Sequence, residues 1–285
     1  MHLIGRRKYL NLHQKSSMSF FSDKVVLVTG GTDGIGKALV TLLMQQGAKV
    51  VTCGRDYDKL YQLQTIYAGK PLLVLSSDVS NEADCKKMVE QAITVFGTID
   101  ILINNAGISM RALFSETDLE TIRRVMDINF WGSVYCTKYA LPYIIKNNGT
   151  VAAISSIAGY RGLPGRSGYS ASKFALQGWM EALRTELLYS GVNVMWVCPG
   201  YTKSNIRNAA LDKNSQPQRE TPLDENSLMS PDDVAGHILK AIEKRKRSLV
   251  LTAQGKETIL LTRLLPEIAD KMVYKFFFQK GVLVK

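Results

Sequence analysis

Strand-like apolar runs alternate with amphipathic stretches along the whole of this chain, and that alternation excludes most architectures. The runs fall at residues 24–30, 48–54, 71–78, 99–104, 149–156, 192–198 and 248–252. Between them, apolar residues at helical spacing predict helices over 34–47, 57–67, 82–96, 119–146, 169–190 and 231–244. Continuous apolar strands must be covered on both faces, and strands separated by helices run parallel. The expected class is therefore α/β: a doubly wound, parallel, seven-stranded sheet with helices on both faces. The stretch 200–230 breaks the pattern, and its Pro217 and Pro222 discourage a continuous helix. A loop of that length directly after the sixth strand is expected to be a lid, because ligands sit at the strand ends of such sheets.

Composition sets the boundaries. With 285 residues, 46% of them hydrophobic, the chain can bury one full core. That core is expected at 23–252, between a flexible, basic and dispensable extension at 1–22 and an amphipathic helical extension at 253–285. The formal charge of +11 sits at the ends: residues 1–22 hold four basic groups and no acidic ones, residues 240–285 eleven and four, and residues 23–239 twenty-one of each. A neutral body without a reader motif argues against a nucleic-acid partner. No apolar run reaches the roughly 18 residues of a membrane span, which points to the cytoplasm. The four cysteines lack a Cys-x-x-Cys pair and have only three histidines as co-ligands, so neither a metal site nor a disulfide framework is expected. In the tail, Leu260, Leu261, Leu264, Leu265, Ile268, Met272, Val273, Phe276 and Phe277 recur at helical spacing among Arg263, Lys271, Lys275 and Lys280, and Pro266 should divide the stripe into two helices. The stripe either packs on the body or a partner subunit, or lies on a membrane surface.

Two local patterns carry chemistry. Thr29-Gly30-Gly31-Thr32-Asp33-Gly34-Ile35-Gly36 joins the first strand to the first helix. Bare glycines there let backbone N–H groups and the positive helix end approach a pyrophosphate. Of twelve tyrosines, only Tyr169 has lysine at i+4, namely Lys173. A helix puts both on one face, and a nearby ammonium favours ionisation of the phenol, which suits acid–base work. Ser156 precedes Tyr169 by thirteen residues and Asn129 by forty.

Together with Asn104-Asn105-Ala106-Gly107, these features resemble the short-chain dehydrogenase/reductase family over about residues 24–251, and residues 102–112, 149–176 and 240–251 are similar to its steroid-dehydrogenase-like and lipid-ketone reductase branch. The resemblance implies a Rossmann fold and a hydride transfer between nicotinamide and a carbonyl or secondary alcohol of a small molecule or lipid. It casts Tyr169 as the proton-exchanging group and Lys173 as the residue that lowers its pKa and holds the ribose. Ser156, chosen over Ser155 by the thirteen-residue offset, would bond the carbonyl oxygen, and Asn129 would hold a water linked to Lys173. Gly30, Thr32, Asp33, Gly34, Ile35 and Gly36 would cradle the cofactor phosphates, Asp78 and Val79 would meet the adenine, Asn105, Ala106 and Gly107 would line the floor, and Pro199, Gly200 and Thr202 would face the nicotinamide. An NAD enzyme places an acid at the end of the second strand, whereas this chain has Gly54 and then Arg55. The expected cofactor is NADP(H), with NAD(H) the alternative because Asp33 and Asp56 stand nearby. Arg161 and Arg166 flank the loop over the site, where they receive an acidic headgroup or are simply solvated. A homodimer or homotetramer is implied, with peripheral membrane contact as a further option. A dinucleotide-binding sensor without turnover and a membrane-surface assembly protein are the competing classes.

Overall fold

The computed structural model describes residues 19–221 and 228–284. The expectations for residues 1–18 and Pro222 lie outside the described residues. Residues 19–22 already pack on the body: Phe21 is buried, and Ser19 Oγ donates to Gln46 Oε1 at 2.8 Å.

Seven strands, β1 (Val25–Val28), β2 (Lys49–Gly54), β3 (Leu72–Ser76), β4 (Ile101–Asn104), β5 (Thr150–Ile154), β6 (Asn193–Cys198) and β7 (Ser248–Val250), form one parallel sheet in the order β3-β2-β1-β4-β5-β6-β7. Successive side chains point to opposite faces. Leu27, Val51, Leu102, Val151 and Trp196 pack against α3 (Glu82–Phe96), α5 (Gly132–Lys146) and α6 (Ser167–Glu186), through Met88, Val89, Ala140, Leu176 and Met180. Val26, Val50, Ile101, Ile103, Met195 and Val197 pack on the other face against Leu39 and Leu43 of α1 (Gly34–Gln45) and Val234, Ile238 and Ile242 of α7 (Pro231–Glu243). This is the doubly wound sheet that the alternation predicts. Asp33, Asn81 and Ser230 cap α1, α3 and α7 by accepting backbone N–H groups that the helices leave unpaired.

The structure departs from the sequence reading in the middle, and at the end it adds a hairpin to the two helices that Pro266 divides as expected. The single helix expected over 119–146 is α4 (Leu119–Met126), a π turn at Asp127–Trp131, and then α5. Such wide turns interrupt helices mostly at functional sites, and this one carries Asn129. Beyond β7, α8 (Ala253–Leu264) and α9 (Pro266–Phe277) meet at Leu265, with Pro266 in the first turn of α9, where its missing N–H costs nothing. A short antiparallel hairpin of β8 (Phe278–Gln279) and β9 (Val282–Leu283) follows, turning through Lys280 and Gly281 at φ 48° and 79°. Leu283 reaches Gly165, where an added Cβ would stand 2.5 Å from Leu283 Cδ2. The C-terminal segment thus closes onto the loop before α6.

Candidate active site

A cavity of about 1050 Å3 opens at the carboxyl ends of the strands, where the order reverses between β1 and β4. Its floor is tied across that reversal. Thr29 Oγ1 accepts the N–H groups of Asn105 and Ala106, both at 3.0 Å, while Asn105 Nδ2 donates to the carbonyls of Thr29 (2.9 Å) and Gly30 (3.1 Å). Gly30 holds φ 68°, and a Cβ on Gly36 would lie 2.1 Å from Gly30 O and 2.5 Å from Asn105 Nδ2. Only glycine at both positions allows α1 to start so close to the strand ends.

One end of the cavity is charged. Asp33 accepts from Gly34 N at 2.7 Å and from Lys59 Nζ at 2.6 Å. Burial pushes its carboxyl up, but Lys59, the Gly34 N–H and Lys37 outweigh burial and hold it below the usual carboxylate range. Asp78 behaves alike: burial raises it, and the Ser80 N–H and hydroxyl together with Arg55 bring it down. Arg55 lies 3.4 Å from Asp78 with about half its side chain exposed. At Gly54 an added Cβ would meet Thr32 Cγ2 at 2.9 Å. Val79 is buried beside Asp78.

The other end gathers the residues singled out around Tyr169. Ser155 and Ser156 both border the cavity, but Ser155 is buried and its hydroxyl accepts from Gln177 Nε2 at 2.7 Å, whereas Ser156 is half-buried. Ser156 also caps the short turn that follows, accepting from Ala158 N at 3.1 Å. Tyr169 and Lys173 project from one face of α6 into the same space. Burial raises the Tyr169 phenol, while the Ser156 hydroxyl bond and the Arg166 charge pull the other way without prevailing. This direction is opposite to the one expected from the Tyr/Lys spacing. Lys173, almost fully buried, is itself lowered to about 8 by desolvation; its Nζ donates to Ile154 O at 2.8 Å and stands 5.7 Å from the Tyr169 ring centroid. Asn129, fully buried in the π turn, accepts from Ile108 N at 2.8 Å and donates to Ile108 O (2.9 Å) and Ser172 Oγ (3.0 Å). Its side chain is spent on fixing the chain beyond Gly107 and bracing α6.

The model of the short chain dehydrogenase family matches residues 24–215. The chain belongs to that family. SDR family member 7B of Mus musculus is 34% identical over 250 residues, covering 85% of this chain and 77% of its own. The 11-beta-hydroxysteroid dehydrogenase A of Arachis hypogaea is 35% identical over 260 residues, covering 87% and 73%. These relatives place the short-chain dehydrogenase described here in the steroid-dehydrogenase-like branch. A short-chain dehydrogenase of Streptomyces avermitilis superposes with a TM-score of 0.76 at 26% identity, covering 90% of this chain and 97% of that one. A Burkholderia phymatum family member in complex with NAD gives the same TM-score at 24% identity, covering 87% and 95%, and speaks for the fold alone. The family consists of oxidoreductases acting on CH–OH and C=O groups.

Between the two ends, this short-chain dehydrogenase brings Pro199, Gly200 and Thr202 to the cavity wall. Thr202 O accepts from Arg207 at 2.9 Å, and Met229 bridges back to Thr202. Sequence reasoning did not assign Lys59, Ser172, Gln177 or Arg207. Ser172 and Gln177 carried a readable signal, as polar residues on the same helix as Tyr169 that the fold then buries; Lys59 and Arg207 carried none. Nor did the tail stripe reveal that Leu261, Met272, Val273 and Phe276 line the cavity. Among the described residues, no helix is long and apolar enough to cross a membrane.

Replacing Asn129 by Ala would strand the Ile108 N–H and C=O. We predict that Asn129→Ala lowers stability by about 2–4 kcal/mol, with amide exchange at Ile108 accelerated, as urea unfolding and hydrogen-exchange mass spectrometry would show. Unchanged stability would mean that the π turn holds its shape without this side chain.

Proposed function

We propose that this protein is an NADP(H)-dependent oxidoreductase that transfers hydride between nicotinamide and the carbonyl or secondary alcohol of a lipophilic small molecule. One observation carries the reading: Ser156, Tyr169 and Lys173 converge at one end of a cavity whose other end is a bare glycine turn at a helix N-terminus. The turn fits a pyrophosphate, since Gly30, Gly34 and Gly36 expose backbone that side chains would fill. Thr32, Asp33 and Ile35 complete that cradle, Asp78 and Val79 would hold the adenine, Asn105, Ala106 and Gly107 the floor, and Pro199, Gly200 and Thr202 the nicotinamide. When bound, the nicotinamide supplies or accepts the hydride. In reduction, Ser156 donates a hydrogen bond to the carbonyl oxygen and Tyr169 delivers its phenolic proton to that oxygen as negative charge develops there. Oxidation returns the proton along the same path. A phenol raised by burial stays protonated at rest, which suits reduction. Lys173 would hold the ribose hydroxyls and support the phenolate, and Asn129 acts by positioning. The described residues 200–221 and 228–230, several of which line the cavity, serve as a lid.

The preference for the 2′-phosphate is supported by Gly54, which leaves no carboxylate at the end of β2, by the half-exposed Arg55 guanidinium, and by Lys59 and Lys37, which offset Asp33. The lipophilic class is supported by the cavity walls from α8 and α9 and by a relative named for an 11-beta-hydroxysteroid. Leu260, Leu264, Leu265, Ile268 and Met272 stand exposed on those same helices, which favours peripheral membrane contact by a protein otherwise in the cytoplasm. Trp131 of the π turn and Phe174 of α6, elements that pack on each other, are exposed and favour a homodimer or homotetramer.

Tyr169→Phe is predicted to lower kcat by about 100-fold or more, leaving NADPH affinity and melting temperature near wild type. Retention of more than a tenth of the rate would refute the proton-transfer role. Arg55→Ala is predicted to weaken NADPH by about 1–3 kcal/mol and NADH far less, read from KM or calorimetry with each cofactor. Equal losses would remove Arg55 from the phosphate site.

A further inference from the structure

The substrate end of the cavity contains a guanidinium for which the described fold supplies no carboxylate. Arg166 stands three residues before Tyr169 and lines the cavity. Its guanidinium carbon lies 5.8 Å from the centroid of Phe277, a buried residue of α9, and its Nε is buried without a hydrogen-bond partner among the described residues. Arg161, five residues earlier, pairs with Asp270; Arg166 has no such pair among the described residues. The acidic residues on the cavity wall, Asp33, Asp56 and Asp78, belong to the opposite end, where Lys59 and Arg55 meet Asp33 and Asp78. Arg166 is only partly buried and the Phe277 ring meets part of its charge, but its buried Nε still lacks an acceptor, which an incoming anion would supply.

We infer that the substrate carries an anionic group, a carboxylate or a phosphate, that pairs with Arg166 while its apolar part lies against α8 and α9. The inference rests on the oxidoreductase reading and narrows its substrate to lipophilic ketones with a negative headgroup. Guanidinium geometry suits both anions, since its N–H groups can bond two oxygens at once. The same pairing bears on the chemistry. Unpaired, the Arg166 charge favours the Tyr169 phenolate. An anion bound to Arg166 cancels that pull and keeps the proton on the phenol, where transfer to a carbonyl oxygen needs it.

The test uses the full chain with NADPH and matched substrate pairs: a long-chain keto acid with its methyl ester, and an alkyl hydroxyketone phosphate with its unphosphorylated parent. The wild type should prefer the charged member of at least one pair by about tenfold or more in kcat/KM, a preference that shrinks as salt rises. Which pair shows it identifies the anion. Arg166→Gln should bring that ratio close to one, and Arg166→Lys, which keeps the charge but loses the two-oxygen fork, should keep part of it. The ratio is the readout because Arg166 also acts on Tyr169. Calorimetric binding of dodecanoate and dodecanol gives an answer independent of turnover, and the dodecanoate-to-dodecanol affinity ratio should fall about tenfold in Arg166→Gln. No preference in the wild type, or one undiminished in Arg166→Gln, overturns the inference and leaves the oxidoreductase reading standing. If no ketone is reduced, that reading fails and the binding ratios still decide the role of Arg166. Should Arg166→Gln fail to fold, the wild-type ratios and their salt dependence decide in its place.

Discussion

The pairing of β1 with β4 is the constraint on which the site depends. At that line the strand order turns back, so the connections on either side diverge and leave a crevice that packing alone cannot fill. Thr29 and Asn105 reach across it, four hydrogen bonds drawing the first glycine of the turn against the end of β4. That closeness is why Gly36 admits no side chain, and it sets where the N-terminus of α1 points. Loss of the link would shift both ends of the cavity together, because the chain after Asn105 runs directly to Ile108, which Asn129 holds.

The two ends of the cavity obey different electrostatics. Around Arg55, Lys59, Asp33 and Asp78 the side chains are roughly 40–50% exposed, and pairs so well solvated are worth only about 0–1 kcal/mol. On the proposed reading this lets Arg55 exchange Asp78 for a phosphate at little cost. At the other end Lys173 is buried and Tyr169 half-buried on the cavity wall, and desolvation prevails for both. It pulls the lysine down to about 8, so that the group keeps most of its charge at neutral pH, and it lifts the phenol. The spacing of Tyr169 and Lys173 predicted the reverse for the phenol because spacing reports adjacency and not the extent of burial.

Much of this was legible in the sequence for physical reasons that can be named. Buried parallel strands must be continuously apolar, so all seven were readable, with ends displaced by a few residues. The thirteen-residue offset to Tyr169 selected Ser156 over Ser155; both lie just beyond β5, and the hydroxyl of Ser155 is engaged by Gln177. The π turn was hidden because it depends on what Asn129 touches in the fold and leaves the helical periodicity of 119–146 nearly intact. The Asp33–Lys59 pair joins residues 26 positions apart on separate elements, beyond the reach of local pattern. The tail stripe left packing and membrane contact open, since a stripe does not say what covers it. In the structure it divides, Phe277 being buried and Leu264 and Ile268 exposed.

The central claim is that the cavity carries hydride between a nicotinamide and a carbonyl carbon. NADPH deuterated at the transferable position of its nicotinamide, turned over by the wild-type protein with a lipophilic ketone, tests it most directly when the product is analysed by mass spectrometry and NMR. The account predicts one deuterium per product molecule, bound to the carbinol carbon. Oxidation of the cofactor without deuterium at that carbon, or absence of turnover across neutral and anionic ketones alike, would contradict it.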